Sequence, residues 1–131
     1  MGIPPRRILV IDDDRDYNRL VLHRLRHEGY EVRAVENGLE ALDAIQSFNP
    51  ELLILDLMMP LMSGHELSFH LQDTHRNLPV IIASAALDDE QKQKAAFWGS
   101  AREFLRKPFD LKDLSAAIAR QLGQKGGETR G

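Results

Sequence analysis

The sequence predicts an α/β domain with a doubly wound, five-stranded parallel sheet and helices on both faces. Two observations predict it. Short, unbroken apolar runs recur along the chain, as strands buried on both faces require. Amphipathic helical patterns lie between them, and strands alternating with helices imply parallel pairing through right-handed crossovers.

The elements follow in order. Ile8-Leu9-Val10-Ile11 makes the first strand. Tyr17, Leu20, Val21 and Leu25 then repeat at the spacing of one helix face, and Gly29 supplies the stop. Glu31 to Val35 alternates polar and apolar residues, which suits a strand nearer a sheet edge. Ala41, Leu42 and Ile45 restore the helical pattern until Asn49-Pro50 breaks it. Leu52-Leu53-Ile54-Leu55 is the third strand, and a third helix is expected from Ser63-Gly64 to near His75. Val80-Ile81-Ile82-Ala83 is the fourth strand. A fourth helix is expected over Asp88 to Trp98, with Asp88, Asp89 and Glu90 at its positive end. Glu103-Phe104-Leu105 is a weaker fifth strand. The last helix starts after Asp110 as N-cap and carries Leu111, Leu114, Ile118 and Leu122 on one face.

At 131 residues the chain has the size of one domain, and 43% hydrophobic against 28% charged residues suffices for a packed core. The formal net charge of -3 argues against nucleic-acid binding, which needs clustered Lys and Arg. There is no cysteine, so disulfides, thiolate metal sites and redox motifs are excluded, in keeping with a cytoplasmic setting. The start reads as no signal peptide and no run nears the length that spans a bilayer, so no membrane role is expected. The expected organisation is an N-terminal arm over 1–6, one domain over 7–122 and a flexible tail over 123–131. No glycine-rich phosphate loop is present to support nucleotide hydrolysis.

Chemistry-bearing residues stand where open α/β sheets bind ligands, at the carboxyl ends of the strands. The first strand ends in Asp12-Asp13-Asp14, the third in Asp56, the fourth in Ser84 and the fifth in Lys107-Pro108. Gathered carboxylates repel and call for a cation. Oxygen-only ligands select a hard ion such as Mg²⁺. A carboxylate can also attack phosphorus and form an aspartyl phosphate, with metal, Lys and hydroxyl donors neutralising the charge. Taken singly, each residue has a blander role: Asp as a helix cap, Ser as a turn residue. Their joint placement at four strand ends is what carries the reading. His23 and His27, four residues apart, read as a solvated helix face rather than a metal site.

Four motifs resemble those of response-regulator receiver domains in two-component signalling. They are Ile8-Leu9-Val10-Ile11-Asp12-Asp13-Asp14, Leu55-Asp56-Leu57-Met58-Met59-Pro60-Leu61-Met62-Ser63-Gly64, Ser84-Ala85 and Phe104-Leu105-Arg106-Lys107-Pro108-Phe109. The resemblance covers Arg7 to Leu122 and implies a flavodoxin-like (CheY-like) fold. It implies Asp56 as phosphoacceptor, with Mg²⁺ held by Asp13 and Asp56, by Asp12 mainly through water, and by the Met58 backbone carbonyl. It also implies Ser84 and Lys107 on the phosphoryl group, Ser84 with Phe104 as the switch, and a cis Lys107-Pro108 bond. The implied partner is a sensor histidine kinase or histidine phosphotransfer protein, followed by an unnamed downstream effector. A phosphorylation-dependent homodimer is compatible with the resemblance. Such a domain is a phosphoacceptor signalling protein, not a turnover enzyme. The chain departs from the pattern at Ser63, where Asp is usual, and at Leu61, where many members have Gly.

Two other readings are weighed. An Mg²⁺-dependent phosphohydrolase with an Asp56 nucleophile needs an acid or base nearby, commonly an Asp two residues on, where this chain has Met58. A receiver-fold interaction module that is never phosphorylated would not need the complete site.

Overall fold

The computed structural model describes residues 4–59, 61–85, 88–90 and 100–123. Five strands form one parallel sheet: β1 (Arg7–Ile11), β2 (Glu31–Val35), β3 (Leu52–Leu55), β4 (Val80–Ser84) and β5 (Ala101–Arg106), in the order β2-β1-β3-β4-β5. The doubly wound reading holds. The alternating second strand and the weaker fifth strand are the two edges, and the unbroken apolar runs are the three central strands.

The unbroken runs are explained by two cores. Successive side chains on a strand point to opposite faces. Leu9, Ile11, Leu53 and Leu55 pack with Ala41, Ile45, Leu67 and Leu71 on one face. Ile8, Val10, Leu52 and Ile54 pack with Val21, Leu25, Leu114 and Ile118 on the other. Each fully buried Leu or Ile contributes about 1.5–3 kcal/mol relative to exposure.

The described helices are α1 (Arg15–His27), α2 (Gly38–Phe48), α3 (Gly64–Leu71) and α4 (Leu111–Leu122). Residues 91–98 of the expected helix after β4 lie outside the described residues, Trp98 among them. Helix α1 begins where Asp14 accepts a hydrogen bond from the Tyr17 N–H at 3.1 Å, and Gly29, at φ +97°, follows its last turn. Leu20 departs from the expected core face: it is 63% exposed, because the buried stripe runs through Val21 and Leu25. Helix α2 starts at the Asn37 cap and ends at Asn49 in the left-handed region. Helix α3 has a full capping box, Ser63 with Glu66, so Ser63 does the capping work of an Asp. It stops at Leu71 and not near His75. Asp73 and Thr74 are poor helix formers, and the Thr74 hydroxyl turns back to the His70 carbonyl at 3.4 Å. Helix α4 begins after Asp110 as expected, although the Asp110 side chain makes no capping bond.

Register positions the chemistry. Ile11 pairs with Leu55, so Asp12 and Asp56 leave the sheet side by side. Ser84 pairs with Arg106, which places Lys107 one residue beyond. An irregularity at Val80/Ile81 slips β5 by one residue against β4, a feature no sequence pattern signalled.

Candidate functional site

Asp12, Asp13 and Asp56 offer carboxylate oxygens within 4.8 Å of one another. Asp12 is 2% exposed and Asp56 9%, while Asp13 faces solvent. The Asp56 amide donates to the Ile11 carbonyl at 3.0 Å, which locks the third strand's end to the first. The Asp56 carboxylate Oδ1 accepts from the Ser84 hydroxyl at 2.6 Å and from the Met58 N–H at 3.1 Å. Lys107 Nζ pairs directly with Asp12 Oδ2 and stands 3.6 Å from Asp56 Oδ2. The Lys107 amide donates to the Ser84 carbonyl at 3.1 Å, so ammonium and hydroxyl are positioned by one strand pair.

The electrostatics follow from burial. Burial pushes the Asp12 carboxyl above its ordinary range, and the Asp56 charge adds to that. The Lys107 ammonium and the Asp14 N–H pull the other way. Among the described residues the site therefore carries three carboxylates, two of them poorly hydrated, against one half-buried ammonium. Oxygen-only donors with excess negative charge are the donor set that suits a hard divalent cation.

The residues expected at the site meet there: Asp12, Asp13, Asp56, Ser84 and Lys107 share one edge of the sheet. Phe104 lies farther back on β5, half-buried against the core that contains Ile82 and Leu71. The Met58 side chain is 54% exposed beside Asp56.

A family model of the response regulator receiver domain matches residues 8–119. The chain belongs to that family.

Receiver relatives agree in sequence and in shape. Response regulator MprA of Mycobacterium avium (strain 104) is 39% identical over 112 residues, 86% of this chain and 49% of that protein. The chain thus spans about half the length of the curated relatives it matches. Among solved structures, the CheY-like receiver domain protein from Methanospirillum hungatei superposes with a TM-score of 0.86 at 27% identity, over 92% of this chain and 95% of that one. Response regulator TrrA from Thermotoga maritima, in complex with Mg(2+)-BeF, has a TM-score of 0.77 at 32% identity, over 88% and 98%. A receiver domain is a signalling module of two-component systems, and that is the class of this protein. Among the described residues no helix is long and apolar enough to cross a membrane.

Two backbone features lie beside the site. Leu61 has φ +68°, the left-handed region that glycine adopts freely. Its side chain is 73% exposed, so no core contact offsets the strain. The Lys107-Pro108 bond is cis, as the resemblance implied.

Two residues beside the site escaped the sequence reading. The Asn18 side-chain amide donates to the Asp12 carbonyl at 2.8 Å and is buried. The Tyr17 ring lies beneath the Lys107 ammonium, at 4.0 Å. The available signal was their place in the first turn of a helix that directly follows an acidic strand end. Helical spacing alone casts Tyr17 as a core residue.

Proposed function

We propose that Asp56 is the phosphoacceptor of this receiver, taking a phosphoryl group from a phosphohistidine of a sensor histidine kinase or a histidine phosphotransfer protein. The observation that carries this reading is the surround of one carboxylate: Ser84 on one oxygen at 2.6 Å, and Lys107 3.6 Å from the other. Those are the hydroxyl and ammonium that three phosphoryl oxygens need once bound.

In the transfer, an Asp56 oxygen attacks phosphorus. The new O–P bond forms as the donor's N–P bond breaks, and the imidazole leaves with the electron pair. Ser84 turns its hydroxyl from the carboxylate to a phosphoryl oxygen, and Lys107 pairs with another. Asp13 and Asp56, with Asp12 mainly through water and the Met58 carbonyl, would hold Mg²⁺. When bound, the ion supplies charge neutralisation between the acceptor and the incoming dianion. The receiver unit is taken as 7–122, with the arm 1–6 and the tail 123–131 outside it. The protein is a phosphoacceptor and not a turnover enzyme; Met58 stands two residues on, where a phosphohydrolase commonly has its acid or base.

The output would follow from Ser84. Drawing its hydroxyl toward the phosphoryl group frees space for Phe104 to move, a two-state element biased by local charge. The altered surface would then engage the downstream effector or a second copy of the chain.

The test is labelling from a small acyl phosphate with Mg²⁺. Asp56→Asn is expected to abolish base-labile incorporation, because no carboxylate remains to attack. Equal labelling of the mutant, read by mass spectrometry, overturns the assignment.

A further inference from the structure

Tyr17 belongs to none of the motifs that mark the site, yet it touches the site's only described cation. Lys107 Nζ lies 4.0 Å from the centre of its ring. The Tyr17 backbone N–H donates to the Asp14 carboxylate at 3.1 Å, which anchors the residue in the first turn of α1. The ring itself forms a T-shaped pair with Phe109, with centroids 6.3 Å apart and planes at 87°. Phe109 is two residues beyond Lys107, so the ring bridges the segment that carries the acidic pair and the segment that carries the ammonium. Among the described residues its buried phenol oxygen has no hydrogen-bond partner. Tyr17 also packs against the core under α1, a role leucine could fill; what leucine lacks is the aromatic face beneath the ammonium.

Lysine is a flexible point charge on a four-carbon stem, and ordering it costs rotamer entropy. An aromatic face offers negative potential without competing as a hydrogen-bond acceptor. The ammonium held over it keeps its N–H groups for oxygens.

We propose that Tyr17 is a positioning residue whose ring face holds the Lys107 ammonium between Asp12 and Asp56, preorganised for the phosphoryl oxygens. This rests on Asp56 being the acceptor. The gain belongs to phosphoryl binding and not to metal binding, because the metal ligands are the carboxylates.

The experiment measures beryllofluoride affinity in saturating Mg²⁺, and Mg²⁺ affinity separately, by calorimetry on the full chain. Tyr17→Leu is expected to weaken beryllofluoride binding about three- to thirtyfold, the span from an exposed to a desolvated cation–π contact. Mg²⁺ affinity is expected not to fall. Tyr17→Phe, which keeps the ring, restores binding to within about twofold of the parent. In a Lys107→Met background, Tyr17→Leu is expected to change beryllofluoride affinity by less than about twofold, since its target is gone. Equal affinity in parent and Tyr17→Leu overturns the proposal. So does an equal loss in both backgrounds, or a parallel loss of Mg²⁺ affinity, each of which marks general damage to the fold. A parent that binds no beryllofluoride, or an Asp56→Asn variant that binds it equally well, overturns the acceptor reading itself.

Discussion

Gly38→Ala tests how tightly the loop after Asp56 is held from behind. Gly38 is the first residue of α2, just after the Asn37 cap. A Cβ built there meets Met62 Cβ at 2.5 Å and the Met62 carbonyl oxygen at 2.5 Å. Neither atom is the free end of a side chain, so rotamer change gives no relief and backbone must move. Met62 is itself in the core, 9% exposed, in the segment that joins Asp56 to α3. Overpacking of this kind costs about 1–3 kcal/mol. Alanine recovers at most about 1 kcal/mol over glycine in a helix, and less at its first position. The expected net loss is about 1–2 kcal/mol, or roughly 4–10 °C in Tm for a domain of this size. Urea denaturation gives the free energy directly, and an unchanged m-value would show that the denatured state is not the cause. An alanine variant as stable as the parent would refute the close approach and the claim that α2 braces the loop.

Three further outcomes are expected. Mg²⁺ at about a hundredfold above its Kd should stabilise the parent by about 2.7 kcal/mol by mass action, and Asp13→Ala should lose most of that rise in thermal scans; an unchanged rise removes Asp13 from the metal site. Met58, and Ala86 outside the described residues, stand at the two positions that in similar receivers flank the phosphoryl group, and neither can orient a water; Met58→Asn with Ala86→Glu is expected to speed decay of labelled protein by about tenfold or more, and equal decay would show that these side chains do not set the lifetime. The Arg120 guanidinium, bonded to Glu103 at 2.6 and 3.1 Å, holds that carboxyl below its usual range; a depressed folded-state pKa gives stability present at neutral pH and lost as pH falls through it, so the parent's advantage over Glu103→Gln should shrink below about pH 4, and a pH-independent difference would rule out the carboxylate as its source.

The sheet, the order of the described helices and the gathering of acidic, hydroxyl and ammonium groups at one sheet edge were legible because each left a local signature. Central strands buried on both faces read as unbroken apolar runs, and edge strands do not; β2 and β5 are the edges in fact. Asp12, Asp56, Ser84 and Lys107 could be placed because the end of a strand is a position that sequence reveals. What was not legible is what depends on neighbours in space. The slip between β4 and β5 arises from their pairing, which leaves no mark in either strand alone. The exposure of Leu20 depends on which side of α1 the sheet occupies. Tyr17 acquires its role only because Lys107, ninety positions away in the chain, folds back over it.

The parallel sheet also sets an order of completion during synthesis. All three carboxylates of the site lie within β1, β3 and the residues that follow them, and these strands can pair once residue 55 has emerged. Their counter-charge comes from the far edge of the sheet, after β5. A nascent or truncated chain ending before Lys107 thus presents the acidic trio without its ammonium. With Asp56 as the proposed acceptor, such a fragment should accept phosphate poorly however well its first three strands associate. Labelling of ribosome-stalled chains whose residue 107 lies inside and beyond the exit tunnel would show whether competence arrives with that residue.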